Sequence, residues 1–273
     1  MTKRQPMSEK ARNDDIQSQY ATSRNLALRG SFQAKYASVS WFDWLFDKMD
    51  LEEGANILDV GCGPGWFWRA LEERLPNDLR VSLIDTSPGM IEEAKTNLLM
   101  VEQIDLVEAE VADAVALPYA AETFDVVLLL HVLYHVNDPQ SALLEAKRVL
   151  RSDGRVFVST NALNNMSELH ALGAMAFGGL PVDPGAALFS LDDAERLVEE
   201  MFEKTERHNL TDLMTSIDTA DAMAVLLSMP PGNTASNEQQ NHLAELVRDE
   251  SNWVGGRPQT TRRNGLIVGT KTP

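Results

Sequence analysis

The feature that most constrains this chain is an alternation of short apolar segments with helical patterns between residues 55 and 160. The segment FDVVLLL is apolar on both faces, which is typical of a central strand in a parallel sheet. Short strand-to-helix links indicate a sheet with helices on both faces, and right-handed crossovers make it doubly wound. The predicted strands are ANILDV at 55–60, RVSLID at 80–85, DLVEAE at 105–110, FDVVLLL at 124–130 and RVFVST at 155–160, and the helices between them are 66–75, 88–99 and 139–150.

The rest of the chain adds a helical cap and two further strands to this core. We expect one domain over residues 1–273, with a polar, flexible segment at 1–19. The predicted fold is α/β: a Rossmann-like, doubly wound, mostly parallel seven-stranded sheet with a cap made by the N-terminal segment and by insertions in the C-terminal half. The predicted cap segments are 20–50, 163–189 and 216–255, and the two further strands are 204–210 and 265–270.

The segment ILDVGCGPGWFW at 57–68 is the most informative part of the core. A strand there contains Asp59, and Gly61, Gly63 and Gly65 follow before a helix begins. Glycine permits positive φ and allows a ligand to approach the backbone closely. The helix N-terminus presents unpaired N–H groups, which suit a carboxylate or a phosphate.

A second acid, Asp85, ends the next predicted strand, 20 residues after Gly65. An acid at this place can accept both hydroxyls of a ribose, as in dinucleotide enzymes. Those enzymes require the spacing G-x-G-x-x-G, whereas here the third glycine follows after one residue. Asp59 would also crowd a pyrophosphate, so a nicotinamide cofactor is a remote alternative.

The motif DVGCGPG, the acids Asp85 and Asp113 and the segment LLLHVLYHVNDP at 128–139 resemble the class I S-adenosylmethionine-dependent methyltransferases. Within them, the chain is similar to the small-molecule group that includes the ubiquinone-biosynthesis enzymes. The resemblance covers residues 55–160. It implies a Rossmann-like fold, S-adenosyl-L-methionine as the cofactor and transfer of its methyl group.

The resemblance also implies a role for each matching residue. Gly61, Gly63 and Gly65 would pass under the amino-acid part of the cofactor, with Cys62 as a small filler, and Asp59 would contact its amino group. Asp85 would hold the ribose. The adenine would lie between Thr86 and Met90, near Asp113 and Ala114, and the transferred methyl would lie near Leu130 and His131. In the N-terminal helices, Tyr20, Arg29 and Tyr36 would meet the cofactor's carboxylate or serve only as surface and packing residues.

Two histidines at the end of the fourth strand, His131 and His135, are the catalytic candidates. An imidazole there would deprotonate a hydroxyl or amine acceptor, because its pKa lies near neutrality. The alternative is a turn in which one imidazole bonds a loop carbonyl. His170 in the cap is a weaker candidate, and His208 and His242 are expected to be structural or solvated.

The sequence argues against two other chemistries. No activating base is visible near Cys62, so a catalytic thiol is not expected. No metal site is expected either, because the region after the fifth strand carries asparagines and no carboxylate before Glu168, and hard cations prefer carboxylate oxygens. Those asparagines are Asn161, Asn164 and Asn165.

Several side-chain sets allow two interpretations. Trp66, Phe67 and Trp68 either narrow the entrance to the glycine turn or pack its helix, and Trp41 and Trp44 either pack the cap or line a pocket. The same two roles, cap core or lining of an acceptor pocket, are open to six methionines between 166 and 229. They are Met166, Met175, Met201, Met214, Met223 and Met229.

Composition limits the partners. The formal net charge is −17, so nucleic acid and an anionic membrane surface are not expected to bind. The N-terminus lacks an apolar h-region and no stretch reaches 18 apolar residues, which predicts a cytoplasmic protein with no membrane span. We expect a monomer or homodimer acting on a small, apolar or aromatic acceptor with a hydroxyl or amine. The alternatives are a non-enzymatic binder of the cofactor and a decarboxylase or cyclase.

Overall fold

The structure is a computed structural model, and it describes residues 24–273. Seven strands and nine α-helices lie within this range. The strands are β1 (Asn56–Val60), β2 (Leu79–Asp85), β3 (Ile104–Val111), β4 (Phe124–Leu130), β5 (Leu150–Asn161), β6 (Lys204–Thr215) and β7 (Gln259–Thr270). The helices are α1 (Arg24–Tyr36), α2 (Trp41–Met49), α3 (Trp66–Ala70), α4 (Pro88–Leu98), α5 (Pro139–Val149), α6 (Ser167–Phe177), α7 (Leu191–Met201), α8 (Thr219–Leu227) and α9 (Asn237–Arg248).

The strands form one sheet in the order β3-β2-β1-β4-β5-β7-β6. Strands β1 to β5 are parallel, and β7 runs antiparallel to both β5 and β6. The predicted seven-stranded, mostly parallel α/β fold is confirmed. The strand order reverses between β1 and β4, because β2 and β3 follow β1 on one side and β4 and β5 lie on its other side. Ligands of doubly wound sheets bind beyond the carboxyl ends of strands at this place.

Helix starts follow the local signals in the sequence. Ser87 caps α4 by accepting from the backbone N–H of Met90 at 3.4 Å, and Asp138 caps α5 by accepting from Ser141 at 3.1 Å. Ser190 opens α7 with a capping box. Short polar side chains satisfy amide groups that have no partner inside the helix, which explains why these starts were predictable.

Several boundaries differ from the sequence expectation. The helical stretch 20–50 is interrupted at 37–40, where the Ser38 amide donates to the Asp212 carboxylate instead of continuing a helix. The helix expected at 66–75 ends at Ala70, since the Leu71 amide bonds Trp68 in a tighter turn. Within 163–189 only α6 is helical. Strands β6 and β7 are longer than predicted and pair over twelve positions.

Three buried clusters hold the molecule together. The first lies on one sheet face under α5 and α7, and the second lies on the other face under α2, α3 and α4. The third joins α1, α6, α8 and α9 above the sheet and contains Phe32, Leu169 and Leu243. Of the six methionines, Met166 and Met214 are buried in this cap cluster and Met223 and Met229 pack against it, whereas Met201 packs against the first cluster and Met175 is exposed.

No helix in the described part of the chain is long and apolar enough to span a bilayer.

Candidate active site

The turn after β1 has a backbone that favours glycine. Gly61, Gly63 and Gly65 all have positive φ, at 72°, 54° and 74°. A Cβ on Gly61 would overlap the side chain of Val132, whereas the nearest atom to a Cβ on Gly63 is Leu26 Cδ2, at 4.0 Å. The turn is therefore packed tightly on the side of Val132 and is open above Gly63.

Asp85 organises this turn from the end of β2. One carboxylate oxygen accepts from the Gly63 amide at 3.0 Å, and the other accepts from the Ser87 amide at 2.8 Å. Burial raises the pKa of Asp85, and the bonds from Ser87 and Gly63 oppose that rise. A carboxylate offers about four acceptor positions, so two remain for a pair of ligand hydroxyls.

Asp59 lies deeper, on β1. Its carboxylate is buried and accepts from Trp68 Nε1 at 2.8 Å. Burial raises the pKa of Asp59 to about 7, against the lowering effect of the Trp68 bond, and the charge of Asp85 adds to the rise. An ammonium placed beside this carboxylate would compensate the buried charge.

The aromatic residues after the glycines pack their helix. Trp68 is fully buried and Phe67 is buried against it, with their rings 5.0 Å apart. The bond from Trp68 to Asp59 also gives the indole a role in the site, which sequence reasoning missed. Burial raises the pKa of the Cys62 thiol and keeps it uncharged at neutral pH.

The predicted adenine contacts lie on both sides of Asp85. Met90 and Ala114 are buried, whereas Thr86 and Asp113 are exposed. The Asp113 carboxylate accepts from the Val115 amide at 3.2 Å and closes its own turn. The structure therefore buries the two apolar residues of this set and exposes the two polar ones.

Helix α1 covers the glycine turn. Leu26 is the side chain above Gly63, and Arg29 follows in the same helix. Tyr20 lies outside the described residues. Tyr36 lies at the far end of the helix, where its hydroxyl donates to Asp221 at 2.6 Å and so ties α1 to α8. Tyr36 therefore has the packing role that was the alternative to a contact with the cofactor.

A buried ion pair anchors the cover to the sheet. Arg262 on β7 donates to Asp212 on β6 at 3.0 Å and to the Val39 carbonyl at 2.7 Å. The Ser38 hydroxyl and amide both donate to the Asp212 carboxylate. The link between α1 and α2 is thus held by the last strand pair of the sheet.

His131 begins the loop after β4 with φ at 55°. Its amide donates to the Ser159 carbonyl at 3.0 Å, and its ring centroid lies 5.2 Å from that of Trp41. Burial lowers the pKa of His131 to about 4; the charge of Asp183 opposes this, and that of Arg262 adds to it. The imidazole is therefore neutral at physiological pH.

His135 lies one turn further along this loop, and Tyr134 separates it from His131. The Tyr134 ring is 4.4 Å from the ring of His135 and 6.2 Å from the ring of His131, centroid to centroid. The two predicted catalytic histidines share one aromatic neighbour.

A buried carboxylate that sequence reasoning missed, Asp183, lies beneath the cap. It accepts from the side-chain amides of Asn161 and Asn165, both at 3.0 Å, and its other oxygen accepts from the Ala186 amide at 2.9 Å. His170 Nε2 is 3.6 Å away, beyond hydrogen-bond distance. Burial raises the pKa of Asp183, but interaction with His170 and these bonds outweigh it, and the net shift is downward.

A cavity of about 40 Å³ opens beside His170, between α6 and residues 178–184. Its other lining side chains are apolar. This volume holds a water molecule or two and is too small for a metabolite. Of the remaining histidines, His208 is half-buried near Glu206 and His242 is exposed. Among residues 24–273 no group of three His, Cys, Asp or Glu is arranged to bind a metal.

Comparison with known proteins agrees with this geometry. Residues 58–158 match a family model described as a methyltransferase domain. The chain is 36% identical over 144 residues to the malonyl-[acyl-carrier protein] O-methyltransferase of Hahella chejuensis, covering 53% of this chain and 48% of that protein. It is 28% identical over 175 residues to a ubiquinone/menaquinone biosynthesis C-methyltransferase of Cereibacter sphaeroides, covering 64% of this chain and 70% of that protein.

The fold is similar to that of the YcgJ protein from Bacillus subtilis, with a TM-score of 0.58 and 17% identity, covering 85% of this chain and 98% of that one. The chain spans 34, 43 and 48% of the length of three of the curated relatives it matches. The matched segment runs from β1 to β5 and contains the glycine turn, Asp85 and His131. Residues 58–158 are therefore similar to a methyltransferase domain.

Proposed function

We propose that this protein transfers the methyl group of S-adenosyl-L-methionine to a small-molecule acceptor. The observation that carries the proposal is the arrangement at the carboxyl ends of β1, β2 and β4. There the positive-φ turn, Asp59, Asp85 and His131 lie at the point where strand order reverses. Doubly wound sheets bind their ligands at this point.

The residues present fit the cofactor. The open backbone at Gly63 suits an amino-acid moiety, and the buried Asp59 suits its ammonium. Asp85 has two free acceptor positions for ribose hydroxyls, and Met90 with Ala114 suits an adenine. We expect Arg29 or Tyr20 to meet the carboxylate, because the helix that contains Arg29 covers the turn.

The chemistry requires positioning more than activation. The bound cofactor supplies a methyl group on a positively charged sulfur, which is already electrophilic. The chain must align the acceptor and exclude water. Trp41 over His131, with α1 and α2 above them, supports water exclusion at the end of β4. His131 is the candidate base, since its neutral imidazole can accept a proton, and His135 is the second candidate.

The acceptor proposed is a small, largely apolar or aromatic metabolite with a hydroxyl or amine. The name of the Cereibacter sphaeroides relative supports a small acceptor, since that protein acts in ubiquinone/menaquinone biosynthesis, whereas the Hahella chejuensis relative acts on a malonyl group attached to a carrier protein. The strongly acidic charge supports the absence of a nucleic-acid partner. We propose a cytoplasmic monomer or homodimer, in keeping with a lone cysteine.

Calorimetric titration tests the cofactor assignment. We expect S-adenosylmethionine and S-adenosylhomocysteine to bind the wild-type protein and to bind Asp85→Ala at least about 100-fold more weakly, since two charge-assisted hydrogen bonds are lost. Asp125→Ala is the matched control. Asp125 is also half-buried and accepts from a backbone amide, that of Asn56, but it lies at the start of β4, at the opposite edge of the sheet. Failure of the folded wild type to bind either ligand would refute the proposal.

Product analysis separates methyl transfer from the two alternatives. A methyltransferase releases one S-adenosylhomocysteine for each methylated acceptor. A decarboxylase or cyclase would leave the cofactor unconsumed, and a binding protein would form no product.

A further inference from the structure

Three buried polar side chains near the site carry an atom without a hydrogen-bond partner. The atoms are Ser159 Oγ on β5 and, on β7, Asn264 Oδ1 and Arg262 Nε. All three residues are at least 97% buried. Unpaired polar atoms in a protein interior reduce stability and are rare, so a cluster of them requires an explanation. We call these three residues the polar strip.

Strand register places the polar strip on one face of the sheet. Ser159 is opposite Leu266 of β7, and Asn264 is opposite Asn161 of β5. Side chains alternate between faces along a strand, so Ser159 shares a face with Phe157, and Asn264 and Arg262 share it with Leu266. Phe157 and Leu266 both belong to the second buried cluster, which confirms that this is one face.

The polar strip begins at the proposed point of methyl transfer. Ser159 is the register partner of Leu130, and its carbonyl accepts from the His131 amide. Leu130 also packs against the second cluster, so its side chain and that of Ser159 point to the same side of the sheet. The other end of the strip, Arg262, lies under the link between α1 and α2.

The free atoms of the polar strip define what they can bind. Arg262 Nε–H only donates, Asn264 Oδ1 only accepts, and the Ser159 hydroxyl does either. A hydroxyl or a hydroxyl beside a carbonyl can accept from Arg262 and donate to Asn264. An aromatic amine is neutral at physiological pH but accepts poorly, because its lone pair is delocalised into the ring, and an ammonium only donates. Either group would leave Arg262 Nε without a good acceptor.

We propose that the polar strip binds the oxygen-bearing end of the methyl acceptor, a hydroxyl or a hydroxyl beside a carbonyl, in preference to an amine. The inference rests on the proposed methyltransferase function and narrows it. The acceptor's polar end contacts Ser159, Asn264 and Arg262, and its apolar body lies under α1 and α2. The unpaired atoms are retained because they recognise this ligand.

The first test is thermal unfolding of the ligand-free protein. Ser159→Ala removes a buried hydroxyl that lacks a partner, so we expect an unchanged or higher unfolding temperature. The matched control is Thr160→Val, since the neighbouring Thr160 hydroxyl is equally buried but donates to the Phe189 carbonyl at 3.1 Å. We expect this control to unfold at a lower temperature. If the unfolding temperature of Ser159→Ala fell as far as that of the control, the proposal would be overturned, because the Ser159 hydroxyl would then have a permanent structural partner.

The second test measures binding of two matched probes, 4-propylphenol and 4-propylaniline, to the protein saturated with S-adenosylhomocysteine. We expect the phenol to bind about 10-fold more tightly, and we expect Ser159→Ala and Asn264→Leu to narrow this difference. Equal binding, tighter binding of the aniline, or binding of neither probe would overturn the proposal.

The two tests distinguish failure of the inference from failure of the proposed function. If S-adenosylhomocysteine binds and the variants keep that binding, any lack of phenol preference contradicts only the polar strip. If the wild type does not bind S-adenosylhomocysteine, the proposed function itself fails.

Discussion

At the scale of single residues, Asp59 makes stability depend on pH. Burial raises its pKa to about 7 in the folded protein, whereas an unfolded aspartate titrates near 4. The folded state therefore holds a proton that the unfolded state has lost, and stability falls as pH rises toward and through 7. Between pH 6 and 8 this residue should remove about 1 kcal/mol from the free energy of unfolding.

Urea denaturation at the two pH values measures this effect. Asp59→Asn keeps an acceptor for Trp68 but cannot titrate, so the free energy of unfolding of this variant should fall by about 1 kcal/mol less over the same interval. Cofactor binding should release protons near pH 6.5, because an ammonium beside Asp59 favours the charged carboxylate. Titrations in buffers of different ionisation enthalpy count those protons. If the free energy of unfolding depended on pH equally in the wild type and in Asp59→Asn, the pKa of Asp59 would not be raised by folding.

The catalytic role proposed for His131 leads to a different prediction. With a pKa of about 4 it stays neutral above pH 5, so it should produce no inflection in the pH–rate profile between pH 5 and 8. We expect His131→Gln to lower kcat by about 100-fold, the lower limit for a general base, because its low pKa makes it a weak one. Binding of S-adenosylhomocysteine should not change. A kcat within a factor of three of the wild type would exclude the base role.

At the scale of elements, the turn after β1 and the loop after β4 are in direct contact. A methyl group at Gly61 would both strain the left-handed backbone and overlap Val132. We expect Gly61→Ala to lower the free energy of unfolding by about 3 kcal/mol, the sum of backbone strain and overpacking. It should also weaken cofactor binding. Chemical denaturation and calorimetry measure the two effects.

Two further variants separate backbone strain from overpacking as causes of the stability loss in Gly61→Ala. Gly255 also has a left-handed backbone, with φ at 69°, but no atom lies within 4 Å of the place that its Cβ would occupy, so Gly255→Ala should lose only about 1 kcal/mol. Adding Val132→Ala to Gly61→Ala should recover the overpacking part of the loss. No recovery in the double variant would mean that backbone strain alone explains it.

At the scale of the whole molecule, we expect the cap cluster to affect acceptor binding and the sheet to affect cofactor binding. Leu243 in the cap and Leu128 in β4 are both fully buried, and Leu128 is the register partner of Asp59. We expect each leucine-to-alanine variant to lose about 2–5 kcal/mol of stability. Only Leu128→Ala should also weaken binding of S-adenosylhomocysteine, whereas Leu243→Ala should raise KM for the acceptor. Weaker cofactor binding in both variants would contradict this division.

The sequence predicted most of the sheet because the signals for its elements are local. Ser87 before Pro88 and the capping box of Ser190 each mark a helix start within four residues. The apolar run that ends at Leu130 identifies a central strand by itself. The glycine turn and Asp85 are equally local, so the geometry of this turn was predictable.

The rest of the site depends on residues that are distant in sequence. Asp183 lies in a loop, and its partners Asn161 and Asn165 come from another segment. Arg262 pairs with Asp212 across two strands whose length was underestimated. No local pattern reveals such pairs, because their interaction energy exists only after the strands have formed the sheet.

The anchoring of the cover by β6 and β7 has a consequence for protein synthesis. A ribosome makes Asp212 174 residues after Ser38 and Arg262 223 residues after Val39. Domains generally fold as units. A nascent chain that has completed β1 to β5 still lacks the anchor of the link at Ser38. We therefore expect the site to be enclosed only after translation has passed residue 262, and we expect a partly made chain to lack the proposed methyl-transfer activity.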